Sequence, residues 1–353
     1  MDVRLTEEQE LWNDTVGRLA RELAMTVPDD TMADRDIEER WGRVLDLGVP
    51  ALRSPALSGL DHTGVEAALG AEQFGRHLVP LPLLGQGIIA AELLAAAGAD
   101  DVLERVLAGE LRIAPAFDGA LAAFAPTGSD AVAWDAAGAT HALMVDDTPA
   151  GRTLTAVPIG GAPVLGLDIT RRHSPVPAGT APADVGRLGG AIPPERWARV
   201  EALSLTALAA DLVGIIDGAL ADAVAHVAER RQFGVPVGSF QAVQHLAADC
   251  LVQIEGARSC LWHAAWAVDD ADGDEATLAA HTAKAYASRA GRDVVEATIQ
   301  MFGGVAITWE YLSHVRARRV WTDRRVLGDE NVHWAAIAAT RLATATVDQD
   351  GGA

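Results

Sequence analysis

The sequence predicts a mainly α protein with a small central β domain, and three observations carry the prediction. Apolar residues recur at helical spacing through residues 1–111. Between 112 and 190 the pattern shifts to short apolar runs bounded by Gly, Asp, Thr and Pro. Long amphipathic runs then return from 191 to 353. The expected domains are an N-terminal helical domain (1–111), a small β domain (112–190) and a C-terminal helical bundle of about four long helices (191–353).

Each element has its own local reason. Thr6-Glu7-Glu8-Gln9 has capping-box form, and Leu11, Trp12, Val16, Leu19 and Leu23 follow at helical spacing, which predicts the first helix. Punctuation by Pro, Gly and Asp separates further helices over 35–47, 64–78, 86–97 and 100–107. Strands are expected at 122–126, 140–145 and 153–159. Helices over 194–229, 239–268 and 275–302 follow, and Asp329, ahead of the acidic Glu330, is the N-cap of a last helix to about residue 344.

Composition limits the function classes. The chain has 353 residues, 50% of them hydrophobic and 22% charged, so it is a folded globular protein. With 28 Lys+Arg against 49 Asp+Glu its net charge is −21, which argues against nucleic acid or anionic lipid as the main partner. The apolar run 78–98 is broken by Pro80, Pro82, Gly85, Gln86 and Glu92, so no membrane span is expected there. Asp2, Glu7 and Glu8 are unlike a secretory signal, and the expectation is a cytoplasmic protein. Cys250 and Cys260 on one helix are separated by about 15 Å and read as packing thiols. The histidines, including His245, His263, His281, His314 and His333, have no metal spacing.

Chemistry concentrates in two stretches: Glu229-Arg230-Arg231-Gln232-Phe233-Gly234-Val235-Pro236-Val237-Gly238-Ser239-Phe240-Gln241, and Gln300-Met301-Phe302-Gly303-Gly304 followed by Glu310-Tyr311. Alone, the first can be a helix-ending turn with an exposed Arg, and the glycines can be simple C-caps. Their joint order and spacing resemble the acyl-CoA dehydrogenase family, as does the order of helical domain, β domain and helical bundle. The resemblance implies an acyl-CoA dehydrogenase-like fold and an FAD whose phosphate and adenine end is held by Arg230, Phe233, Gln241, Gln300, Gly303 and Gly304. A guanidinium suits phosphate oxygens, and residues without Cβ let backbone N–H groups approach a phosphate.

The same resemblance exposes absences. Family members carry the catalytic glutamate at one of two positions, and these align here with Ser204 and Leu327, neither of which is a base at neutral pH. The arginine often found beside the helix position is here Leu205. Glu201, close to one turn before Ser204, is the candidate for a displaced base, and the competing reading is a solvated or ion-paired helix residue. Of the family's Thr-Glu-x-x-x-Gly-Ser-Asp motif, which holds the flavin ring, only Thr127-Gly128-Ser129-Asp130 is present. The basic cluster Arg316, Arg318, Arg319, Arg324 and Arg325 is expected to salt-bridge helices within the bundle or an oligomer interface rather than hold CoA or a partner. Arg318-Arg319 stands where the family has Arg-Asp.

The resemblance is therefore to the non-catalytic subunit of an α2β2 acyl-CoA dehydrogenase of the kind found in bacterial steroid side-chain breakdown. It implies FAD shared across a subunit interface, a catalytic partner subunit that holds most of the acyl-CoA, and an electron-transfer flavoprotein as a further partner. Two other readings stay open: a self-sufficient homo-oligomeric acyl-CoA dehydrogenase using Glu201, and a flavin-free scaffold on the same fold.

Overall fold

The computed structural model describes residues 4–26, 34–61, 63–161, 164–186 and 188–350. Helices occupy the chain up to Leu107: α1 (Glu7–Glu22), α2 (Asp34–Asp46), the short α3 (Pro55–Ser58), α4 (Gly64–Arg76), α5 (Ala91–Ala97) and α6 (Asp100–Leu107). Both arms of the Thr6–Gln9 capping box are formed at the start of α1. The helix expected over 86–97 begins earlier and is wound differently, because Leu83–Ala90 is π-helical before α5. The Gly85 N–H donates to Asp135 Oδ2, and a Cβ on Gly85 would stand 2.6 Å from that of Asp135. That contact across the fold accompanies the wide turn and is invisible to local periodicity.

A six-stranded sheet of order β4-β3-β1-β2-β6-β5 follows, from β1 (Ile113–Phe117), β2 (Ala131–Ala133), β3 (His141–Thr148), β4 (Gly151–Pro158), β5 (Val164–Leu165) and β6 (Arg172–Val176). β1 runs parallel to β3, and the other pairs are antiparallel. The strand expected at 122–126 does not form. The Asp118 carboxylate accepts the N–H groups of Ala120 and Ala122 and turns the chain, so only Phe124 bridges back to Phe117. Strand β1 escaped the pattern search because every residue in it is buried, which removes the alternation of a half-buried strand.

Beyond the sheet come α7 (Pro194–Glu229), α8 (Gln241–Asp270), α9 (Gly273–Phe302), α10 (Ser313–Asp323) and α11 (Glu330–Asp350). By length and composition α7 could cross a membrane, but 94% of its most apolar window is buried inside the protein, as befits a central helix. It lies close against α4: a Cβ on Gly214 would come within 2.0 Å of the Glu72 carbonyl oxygen, so a larger residue there would force the helices apart.

Charges buried between these layers lock them together. The Arg171 guanidinium contacts Asp168 at 3.2 Å, Asp211 at 2.9 Å, Asp135 at 3.8 Å and also Asp323. Arg319 grips both Asp211 oxygens, at 2.9 and 2.5 Å. Burial pushes Asp135 up to about 6 and raises Asp323 well above the ordinary carboxylate range, while Arg319 and Arg171 hold Asp211 below it against the same burial. Of the arginine cluster, Arg316 pairs with Asp222 of α7 and Arg324 with Glu330 of α11, tying bundle elements together, whereas Arg325 pairs with Asp329 within one loop.

Candidate functional site

At one end of the bundle, α7 stops at Arg230, whose ψ of 126° leaves helical space. A two-residue hairpin follows, with β7 (Arg231–Gln232) against β8 (Val235–Pro236). Both turn residues, Phe233 (φ 53°) and Gly234 (φ 84°), are left-handed, as a type I′ turn requires. Glycine adopts that geometry freely, whereas phenylalanine does so at a cost, and Phe233 is 94% exposed. Among the described residues its one ring contact is with Phe240, edge-on at 6.4 Å.

The second stretch arrives at the same place. Helix α9 ends at Phe302, and Gly303 follows with φ 70°. A Cβ built on Gly303 or Gly304 would meet nothing within 4 Å. His226, one turn before Arg230, stacks on Phe302 at 4.6 Å and meets the Tyr311 edge at 5.7 Å. Val227, Met301, Phe302 and Ala306 pack with Val237, Val243 and Leu246 into one apolar cluster under both stretches. His226 had no sequence signal beyond its place on the helix leading to Arg230, yet it is what joins the two motifs.

Arg230, Phe233, Gln241, Gln300, Gly303 and Gly304 are all exposed. Arg230 pairs with no carboxylate among the described residues. A free guanidinium and two amides beside an uncovered aromatic ring and two glycines with open space above them form a surface that suits a diphosphate joined to adenosine.

The positions of the family base have the opposite character. Ser204 is 1% exposed, and its hydroxyl donates to the Val200 carbonyl at 2.7 Å, a bond within its own helix. The Leu327 N–H donates to the Leu121 carbonyl at 2.8 Å, and both leucines are left-handed, with φ of 57° and 60°. This strut ties the turn after β1 to the loop before α11. Phe124, next to it, stacks on Phe117 at 4.9 Å and meets Trp197 at 5.5 Å.

Glu201 is half-buried near His281, raising the affinity of that ring for a proton against the effect of burial. His281 Nδ1 lies 2.8 Å from His333 Nδ1, and His333 Nε2 lies 3.1 Å from the Gly328 carbonyl. The carbonyl can only accept, so His333 carries its proton on Nε2, and His281 donates to the bare His333 Nδ1. Burial, Lys284 and His281 push His333 down to about 3. Lys284, itself lowered to about 7 by burial, donates to the Gly328 carbonyl at 3.1 Å. Glu201 therefore adjoins a neutral histidine pair that anchors the loop after Leu327.

Ring-side groups are spent as well. The Thr127 N–H and hydroxyl donate to Asp146, the Ser129 hydroxyl to the Pro126 carbonyl, and Asp130 accepts the Ala178 N–H. These groups fit a closed turn and do not fit a flavin ring. No cluster of metal-ligand type occurs among the described residues.

Comparison with known proteins places this arrangement in a family. The "Acyl-CoA dehydrogenase, C-terminal domain" family matches residues 204–342. The acyl-CoA dehydrogenase IpdE2 of Mycobacterium tuberculosis is 30% identical over 328 residues, covering 91% of this chain and 93% of that protein. The acyl-CoA dehydrogenase FadE34 of the same organism is 41% identical over 121 residues, 34% of this chain but only 17% of FadE34. Among solved structures, a steroid ACAD variant of Tcur3481–Tcur3483 superposes with a TM-score of 0.80 at 25% identity, over 96% of this chain and 99% of that one. The chain belongs to the acyl-CoA dehydrogenase family.

Proposed function

We propose that this chain is the non-catalytic subunit of an α2β2 FAD-dependent acyl-CoA dehydrogenase, supplying the half of a cofactor site that holds the FAD tail. In the family reaction a carboxylate takes the α-proton of the acyl thioester, and bound FAD supplies the hydride acceptor. The observation that carries the reading is a contrast within one chain: the side chains of the tail motifs are exposed and unpaired, whereas the base and ring positions are bonded to their own chain, with Ser204 buried. Arg230 would pair with the diphosphate, Phe233 would lie on the adenosine, and Gln241 and Gln300 would donate to the tail, with the Gly303–Gly304 turn, whose Gly303 N–H is given to the Ile299 carbonyl, leaving open space beside it. The base, the ring pocket and most contacts to the acyl-CoA would come from the partner subunit. The similarity to the steroid ACAD Tcur3481–Tcur3483, which is named for two proteins, supports an assembly of two different chains acting on a steroid-derived acyl-CoA. In this reading an electron-transfer flavoprotein would receive the electrons.

Co-expression with an acyl-CoA dehydrogenase chain that carries the base glutamate tests this reading. The expected result is a flavin absorption band in the complex and none in the chain alone, and its loss on Arg230→Ala. Stoichiometric FAD and acyl-CoA oxidation in the purified chain alone would exclude the reading. Flavin retained by the Arg230→Ala complex would favour a scaffold.

A further inference from the structure

The segment that follows Gly303–Gly304 carries a feature that FAD-tail binding does not use. A cavity of about 210 Å³ opens among Ile299, Ile307, Trp309, His314, Arg318 and Trp321. His314 is 8% exposed, and neither of its ring nitrogens has a hydrogen-bond partner. Burial, then the charge of Arg318, lowers its pKa, so the ring is neutral and offers one donor and one acceptor. The Trp309 ring meets it edge-on at 5.0 Å, and the Arg318 guanidinium lies 5.9 Å from the Trp309 centroid. Arg318 has no carboxylate partner among the described residues.

The rim is unusually apolar: Ile307 is 73% exposed, Trp309 56% and Trp321 37%. A tryptophan pair beside an arginine is the composition of a binding hot spot between proteins. Small-molecule sites usually occupy about 300–1,000 Å³, so this cavity is sized for a single side chain. A hydroxyl, which both donates and accepts, can meet whichever nitrogen of the neutral imidazole faces the cavity. An unpaired guanidinium on a chain of net charge −21 asks for a carboxylate from elsewhere.

We propose that this cavity anchors the partner acyl-CoA dehydrogenase subunit, which seats a tyrosine against His314 and a neighbouring carboxylate on Arg318. The proposal rests on the two-chain reading and names the surface that holds the chains together. Ile307 and Trp309 lie a few residues beyond Gly303–Gly304, so a subunit that completes the FAD site passes next to them. The tail groups hold cofactor, and the pocket holds protein.

The experiment uses the complex with the co-expressed partner. Trp309→Ala is expected to weaken assembly at least 100-fold by analytical ultracentrifugation, and His314→Phe about 10-fold, with the melting temperature of the isolated Trp309→Ala chain unchanged. Hydrogen exchange of the unmodified complex, which needs no variant, is expected to slow across residues 305–321 relative to the free chain. Unchanged affinity in both variants, or no slowing in that segment, overturns the proposal while leaving the two-chain reading intact. Slowing of 305–321 in a homodimer of this chain also overturns it. Failure of the unmodified chain to join the partner at all removes the two-chain reading, an outcome that the variants alone cannot produce.

Discussion

The two ends of the C-terminal bundle use similar materials to opposite effect. Around Arg230, polar groups stand in solvent on a frame fixed by the His226–Phe302 stack. Around Ser204 and Leu327 the corresponding groups are bonded to their own chain, with Ser204 on Val200 and Leu327 on Leu121, and in the β region Thr127 is likewise bonded to Asp146. Donors left unmet on a fixed backbone mark a surface ready for a ligand, because no internal partner must be given up. Donors already met mark a place where a ligand would have to break bonds and move aromatic rings. The family resemblance implies cofactor contacts at both places, the tail motif reaching an FAD bound mainly by a neighbouring subunit, and in this chain only the first presents unmet side chains.

The largest effect should come from the ion network behind the closed end. Asp135 has its folded pKa raised from 3.8 to about 6 by burial. A carboxyl that holds its proton more tightly when folded contributes most stability below pH 4 and loses it as pH rises through 6. Asp135→Asn, which keeps an acceptor for Gly85, should therefore be more stable than the unmodified chain at pH 7, by about 3 kcal/mol. The difference should vanish below pH 4 in urea titrations. Lower stability at pH 7 would mean that the carboxylate acts there as a net favourable partner of Arg171.

A smaller effect is expected at the open end. Phe233→Asn places a residue that tolerates left-handed backbone at the hairpin tip, and should stabilise the isolated chain by about 1 kcal/mol. The same change should weaken FAD retention in the two-chain complex roughly tenfold, by removing an aromatic face from the adenosine. A gain in stability with no loss of flavin would show that Phe233 has another use. The smallest expected effect tests the closed end directly. Leu327→Glu restores a carboxylate at the loop position, yet the isolated variant should still bind no flavin and reduce no dye with acyl-CoA. Turnover in that variant would break the contrast between the two ends.

Much of this was legible in the chain because it is local. The Thr6–Gln9 capping box, the long helical periods and the Arg230-to-Gln241 motif are each written within a few turns. The replacement of a base by Ser204 and Leu327 could also be counted along the chain. What stayed hidden depends on contacts between distant segments. The π-helical stretch at 83–90 goes with Asp135, some fifty residues later. Strand β1 has no alternation because both of its faces are covered. Glu201 was a fair candidate base by spacing, but its neighbourhood is a histidine pair brought in by α9 and α11. His314 looked like any other histidine until its burial and missing partners were visible.

By itself, the sequence determined the α–β–α order, the family resemblance, and the pairing of a family-like tail motif with Ser204 and Leu327 at the aligned base positions, since each follows from residue type and spacing along one chain. The tertiary structure alone decided which of those residues face solvent, which are consumed internally, and that Trp309, His314 and Trp321 enclose a pocket. Exposure and pairing are properties of segments meeting across the fold: burial sets the cost of an unmet donor, and only three-dimensional packing says which donors are unmet.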